Sequence, residues 1–227
     1  MGLRRLAIAS WAADGCSASR VALLCLLCAV AFQVNATTGV REWRFDVTAD
    51  GIPIGTIKYV VREENRSRTA ESDMHFRVRL VLLDAYRYDH HATETWRDDC
   101  LSSLDTKTEE RGNATTVTGH VEPDHFVVDG ADGRSSLPTC VMTFAYWNPR
   151  VLEQSHLVNT QTGAWTPVST EKLPAESITV RGHPQTAHHY RLRTPKNKIE
   201  LWYSDAGEWL AMRTTTNSGH VLSYQLD

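Results

Sequence analysis

The sequence lacks the motifs that identify most hydrolases and nucleotide enzymes. It contains no Gly-x-Ser-x-Gly elbow, no His-Glu-x-x-His, no papain-like cysteine context and no glycine-rich phosphate loop. Basic clusters are also missing: 24 Lys and Arg stand against 27 Asp and Glu, a formal net charge of −3. Nucleic-acid binding rests on clustered cations, so this balance argues against a nucleic-acid partner. Only one long apolar run exists, Val21–Phe32, and twelve residues are too few to span a bilayer as a stable anchor. No linker, low-complexity stretch or internal repeat divides the chain.

What is present begins with a leader. Arg4, Arg5 and Arg20 precede the apolar run, and Val34-Asn35-Ala36 follows it with a small residue at the cleavage position. This is the pattern of a secretory signal peptide over residues 1–36, leaving 37–227 as a single domain. Arg4-Arg5 precedes the apolar run by about fifteen residues, so ordinary Sec export is expected rather than the twin-arginine route. Cys25 and Cys28 each follow Leu-Leu where a lipoprotein signal needs a small residue, so no lipid anchor is expected. The expected location is the periplasm of a Gram-negative cell, with no membrane span after cleavage. Without Arg4, Arg5, Arg20 and Asp14 the domain has 21 basic and 26 acidic residues, a formal −5.

Cleavage would leave Cys100 and Cys140 as the only thiols. In an oxidising compartment two such cysteines are expected to pair, closing a loop of 39 residues. No Cys-x-x-Cys motif beyond the leader supports a reactive thiol instead.

Period-2 alternation dominates the domain. Trp43, Phe45 and Val47 face one way and Arg44 and Asp46 the other, then Asp50-Gly51 turns into a strand over Ile52–Val61. One parity runs from Phe76 through Tyr86, Tyr88, His90 and Glu94 to Trp96, which predicts one long bent strand or two collinear ones. Further strands are expected at Leu101–Glu109, Thr115–Val121, His125–Val128, Trp165–Thr170, Ser177–Arg181, Thr186–Thr194, Lys198–Tyr203, Trp209–Thr214 and His220–Leu226. Short turns such as Arg111-Gly112-Asn113, Asp129–Gly133, Asp205-Ala206-Gly207 and Asn217-Ser218-Gly219 separate neighbours, which implies an antiparallel meander. One helix is expected: Asn148 as N-cap, Pro149 at the first helical position, and one to two turns to Ser155. The fold class is therefore mainly β, one strongly curved antiparallel sheet or half-open barrel of about a dozen strands with one short helix.

The ten histidines offer no ready metal site. His90-His91 and His188-His189 lie on strands, where adjacent side chains point to opposite faces and neither pair can chelate one ion. His90 and Glu94 share a face but lie about 13 Å apart along an extended strand. Asn65-Arg-Ser and Asn113-Ala-Thr match the glycosylation acceptor pattern, which matters only in a eukaryotic secretory path. The densest chemical cluster is Cys140-Val-Met-Thr-Phe-Ala-Tyr-Trp-Asn-Pro149. Phe144, Tyr146 and Trp147 either pack a core around the bridge or help cover an apolar pocket whose wall includes Tyr86, Tyr88 and Trp96.

These residues carry a resemblance. Tyr86-Arg-Tyr88, Glu94-x-Trp96-Arg-Asp98-x-Cys100-Leu101 and Leu137-Pro138-x-Cys140-Val-Met-x-Phe144-Ala-Tyr-Trp-Asn-Pro149 resemble an exported bacterial family of unknown function, domain-of-unknown-function family 6134. Asn159-x-Gln161-Thr-Gly163, Ile199-Glu-Leu-Trp-Tyr203 and Trp209-Leu210-Ala211 fit the same family, so the resemblance covers essentially all of 37–227. The family implies no catalytic residues and no cofactor. More distantly the layout is similar to family 3108 and to the periplasmic lipoprotein carriers. That similarity implies a curved, unclosed antiparallel sheet around an apolar cavity covered by short helical segments.

Three functional readings follow. The leading one is an exported, non-catalytic binding or envelope-associated protein whose partner is an apolar small molecule, a lipid or acyl group. The second is a structural or protein-interaction module of the cell envelope. The third is an enzyme with a cross-strand site built from His90, Glu94 or His188.

Overall fold

The computed structural model describes residues 38–80, 83–216 and 219–227. The expected signal peptide, and Asn217-Ser218 of the last expected turn, lie outside the described residues. Alternation translates directly into strands. In Thr38–Ala49 (β1), Trp43, Phe45 and Val47 are buried while Arg44 and Asp46 are exposed. Then come Ile52–Glu64 (β2), Ser67–Leu80 (β3), Leu83–Arg97 (β4), Cys100–Glu110 (β5), Asn113–Val121 (β6), Phe126–Gly130 (β7) and Gly133–Leu137 (β8). After a crossover containing His156–Val158 (β9) and Trp165–Pro167 (β10), the chain resumes with Ser169–Val180 (β11) and His183–Arg193 (β12). Lys198–Tyr203 (β13), Trp209–Thr215 (β14) and Val221–Leu226 (β15) complete it.

Thirteen of these strands form one antiparallel sheet in the order β11-β12-β13-β14-β15-β1-β2-β3-β4-β5-β6-β7-β8, and β9-β10 is a separate hairpin. The last strand pairs with the first, with Phe45 opposite Leu226 and Val47 opposite Tyr224. The sheet is therefore continuous across the two ends of the domain, and its gap falls mid-chain between β8 and β11. It does not close. Three connections, Asp50-Gly51, Arg111-Gly112 and Arg181-Gly182, have positive φ at both residues. This mirror-type turn suits the right-handed twist of the strands it joins.

Three expectations are corrected. The run from Phe76 to Trp96 is neither one strand nor two collinear ones: β3 and β4 pair antiparallel, with Phe76 opposite Tyr88 and Met74 opposite His90. Paired residue numbers there have an even sum, so even residues face even residues, and a hairpin carries the same parity as a straight strand. Trp165–Thr170 is likewise divided, β10 pairing with β9 and β11 beginning the second half of the main sheet. The helix is a single 3₁₀ turn, Pro149–Glu153, ending one residue before the C-cap Gln154. Its predicted cap is present: the Asn148 side chain accepts from the Arg150 N–H.

The core lies between the sheet's inner face and the crossover, residues 138–168. Trp147 of the crossover meets Trp96 of β4 edge to face at 5.5 Å, and Val151, Leu157 and Val158 are fully buried. The crossover is hydrogen-bonded to both halves of the sheet. Leu101 N–H donates to the Val141 carbonyl at 2.9 Å, and the Tyr203 hydroxyl donates to the Tyr146 carbonyl at 2.8 Å. At its entry stands the Cys100–Cys140 disulfide, the expected staple, joining the start of β5 to the segment before Val141.

Around that bridge, Arg66 pairs with Asp98, and Asp99 receives Arg68, Arg150 and the Asn148 amide. The bridge acts by restricting the unfolded chain. Replacing both cysteines by Ser is expected to lower the unfolding free energy by roughly 3–4 kcal/mol. Chemical denaturation with and without reductant checks this, because reductant should bring the wild type to the variant's value and leave the variant unchanged.

Candidate functional site

The inner face divides into two chemical regions. Strands β1, β2 and β12–β15 contribute apolar side chains, among them Phe45, Ile57, Leu192, Ile199, Leu201 and Met212. Strands β3–β5 add the buried polar ones, Ser72, His90, Glu94, Thr106 and Thr108, set among apolar Phe76, Trp96, Leu101 and Leu104. The division follows from register: Met74 stands opposite Ile57 on one side and His90 on the other, and His90 opposite Thr108. Along that border Phe76, Tyr88 and His90 stack in sequence, with centroids 5.4 and 6.4 Å apart, and Tyr86 stacks on Tyr88 at 6.5 Å.

A cavity of about 480 Å³ opens on the apolar side. Its floor is Ile57, Tyr59, Trp209 and Tyr224, buried residues of β2, β14 and β15. Met74, Ile199 and Met212 form the walls, and Phe144 and Tyr146 of the crossover close over them. The mouth is polar, bounded by the crossover turn at Asn159–Thr162 and the β12–β13 turn at Thr194–Asn197, where Gln161 and Lys196 are exposed. The aromatic contacts are mutual: Trp209 meets Phe45 at 4.2 Å, Tyr146 at 5.4 Å and Tyr59 at 5.5 Å.

The crossover turn is held by backbone. Asn159 Oδ1 accepts from the N–H groups of Gln161 and Thr162, an Asx-type turn. The Thr162 carbonyl accepts from the Ala131 N–H at 2.9 Å, and the Thr160 carbonyl accepts from the Thr106 hydroxyl at 2.7 Å. Gly130 and Gly163 meet face to face there, and a Cβ on Gly130 would lie 2.8 Å from the Gly163 Cα. Two glycines thus permit a contact that side chains would block.

Two buried titratable groups flank the cavity without lining it. Burial raises the Glu94 carboxyl to about 7, against a weaker lowering from the Trp96 indole, which donates to it at 3.0 Å, and from the neighbouring Thr143 hydroxyl. Burial lowers His90 to about 4, so its ring is neutral at ordinary pH. His90 Nδ1 lies 2.8 Å from Thr108 Oγ1, and its Nε2 lies 3.5 Å from Thr160 Oγ1.

The sequence candidates are distributed as follows. Phe144 and Tyr146 line the cavity. Trp96 and Trp147 are fully buried in the packed core beneath the disulfide, and Tyr86 and Tyr88 stack along β4 outside the cavity wall. His90, Glu94 and His188 have separate partners, the last sitting 3.1 Å from Asp205. The adjacent pairs do split between faces: His91 reaches Asp73 at 2.7 Å on the outer side, and His189 stacks on Trp202 at 4.6 Å. Among the described residues no group of three His, Cys, Asp or Glu is placed to hold a metal ion. Tyr59, Trp209 and Tyr224 were not legible as site residues. Each has inward parity, but only the β15–β1 pairing brings them to one floor.

A family model matches residues 45–227, nearly all of the folded domain. The chain belongs to the family Domain of unknown function (DUF6134). Among solved structures, this DUF6134 domain is similar to a beta-barrel-like protein of domain of unknown function DUF1849 from Brucella abortus. The two are 9% identical, with a TM-score of 0.62 over 85% of this chain and 97% of the other. At that identity the likeness is one of fold, a barrel-like antiparallel sheet. A search of curated proteins finds no significant match to the DUF6134 chain.

Glu94 sets a pH signature. Its folded pKa is raised, so its contribution to stability is fully present below its ordinary value of 4.5 and is lost as pH rises through about 7. Relative to wild type, Glu94→Gln is expected to gain roughly 3 kcal/mol of stability between pH 4.5 and pH 7 and above. Urea unfolding of both proteins across that range checks it, and a pH-independent difference would exclude a protonated buried carboxyl.

Proposed function

We propose that the protein is an exported, non-catalytic binding protein that holds an apolar or amphiphilic small molecule in the cavity beneath its crossover. The observation that carries this reading is the cavity itself: about 480 Å³, apolar at the floor and polar at the mouth. That volume lies inside the range of roughly 300–1,000 Å³ typical of small-molecule sites. A lining of Ile57, Met74, Ile199, Trp209 and Met212 removes apolar surface of a ligand from water, a non-directional gain of roughly 25 cal/mol per Å². The polar mouth lets a hydrated end remain in solvent.

The leader read at residues 1–36 supports a periplasmic location, where an acyl-bearing compound of the envelope is the natural ligand class. The acidic surface fits the absence of any demand for nucleic-acid contact.

The hydrophobic fluorophore N-phenyl-1-naphthylamine is a suitable first probe. Its fluorescence is expected to rise on binding the wild-type domain, and Met212→Trp, which projects bulk into the cavity, is expected to abolish the rise while leaving the far-UV spectrum unchanged. Equal binding by this variant would place any ligand elsewhere. Native mass spectrometry of protein purified from its own envelope then identifies what the cavity carries.

A further inference from the structure

Three tyrosines of the cavity, Tyr59, Tyr146 and Tyr224, are each more than nine-tenths buried. Their hydroxyls make no hydrogen bond to any described residue. None of the three oxygens is itself sealed off, so they open onto the cavity, where a ligand can take the hydrogen bonds that the protein leaves unused. Tyr203 gives the contrast within the same fold, since its hydroxyl donates to the Tyr146 carbonyl at 2.8 Å. Tyr88 differs from them: it lies outside the cavity lining, and its partnerless hydroxyl is fully enclosed.

The three arrive from different parts of the chain: Tyr59 from β2, Tyr146 from the crossover and Tyr224 from β15. Their groups sense one another, Tyr146 and Tyr224 both raising the phenol of Tyr59. Burial is the main cause of that rise and the nearby Glu94 carboxyl adds to it, so each phenol keeps its proton and remains a donor.

We infer that these hydroxyls form a donor site for a neutral acyl carbonyl, so that the ligand enters with its ester or amide oxygen at the tyrosines and its hydrocarbon along Met74, Ile199 and Met212. Charge decides between a carbonyl and a carboxylate. Among the described residues Lys196 is the only cationic side chain of the cavity lining, and it is exposed at the mouth. An ionised carboxylate at the floor would be buried among phenols with no cation and with Glu94 nearby, an arrangement that carries a large desolvation cost. A neutral carbonyl needs only the donors that are already there. Apolar area gives no selectivity among chains of equal length, so the hydroxyls supply the discrimination.

This inference rests on the proposed binding role, and the experiment separates the two. Displacement of N-phenyl-1-naphthylamine is measured at pH 8 with methyl laurate, N-methyl lauramide, laurate and dodecane, against the wild type and Tyr59→Phe/Tyr146→Phe/Tyr224→Phe. The wild type is expected to prefer the ester and amide over dodecane and laurate by tenfold or more, with the stronger of the two naming the acyl linkage. The triple variant is expected to bind ester, amide and dodecane within about threefold of one another, two hydroxyls at a time having met the carbonyl's two lone pairs for roughly fivefold each. Phe keeps the rings and removes unpaired hydroxyls, so the variant should fold; single Tyr224→Phe, expected to lose about fivefold, serves if it does not. Tyr203→Phe is the control, losing stability but keeping the wild-type ranking. An unchanged ranking in the triple variant, or tightest binding of laurate, overturns the donor site while leaving the cavity as a binding site. Failure of the fluorophore and all four compounds to bind the wild type removes the binding role itself.

Discussion

A sheet of thirteen strands that does not close leaves its inner apolar face without an opposing layer, and here the chain supplies that layer from its own crossover. Residues 138–168 leave the sheet at one edge, cross the inner face and return at the other edge. Their packing on the sheet, centred on Trp147 against Trp96 and on Tyr146 against Trp209, forms the core. The Cys100–Cys140 bridge fixes where the crossover starts, and the Gly130–Gly163 contact fixes where its turn lands. Between those anchors the cover fits closely over the disulfide end and loosely over β13–β15. The cavity is the unfilled remainder.

The same constraint explains the buried polar groups. A strand exposes one parity to the interior along its whole length, so a site on the inner face cannot be polar at one position without burying that group. His90 and Glu94 are handled by neutrality rather than by ion pairing, the first held deprotonated at ordinary pH and the second protonated below about pH 7. Their pH dependences oppose one another, because acid favours a fold with a raised carboxyl and penalises one with a depressed imidazole. On the outer face charge is handled by pairing instead, as where Asp89 gathers His75, Arg77 and Arg87 and is held below the usual carboxylate range by them.

Much of the fold could be read locally because alternation and turn chemistry are local. The buried parity of β1, the turn at Arg111-Gly112 and the cap at Asn148 each depend on neighbours within a few residues. The hairpin at Phe76–Trp96 was misread for a physical reason: parity reports which face a residue takes, and a tight hairpin leaves parity unchanged. The strand expected at Trp165–Thr170 divides because two different sheets claim its halves, which no local pattern encodes. Phe144 and Tyr146 stood out through their density beside the bridge, whereas Tyr59 and Tyr224 looked like any inward aromatic.

By itself, then, the sequence determined the β class, the antiparallel meander, the disulfide partners and the family, because periodicity, turn residues and the pairing of two cysteines need no knowledge of distant contacts. Tertiary structure alone decided that β15 joins β1, that the gap falls mid-chain, and that the crossover lies inside. Those are choices among strand pairings of similar local energy, settled by which arrangement buries the inner face. The cavity, lined by three tyrosines from β2, the crossover and β15, exists only as a consequence of that choice.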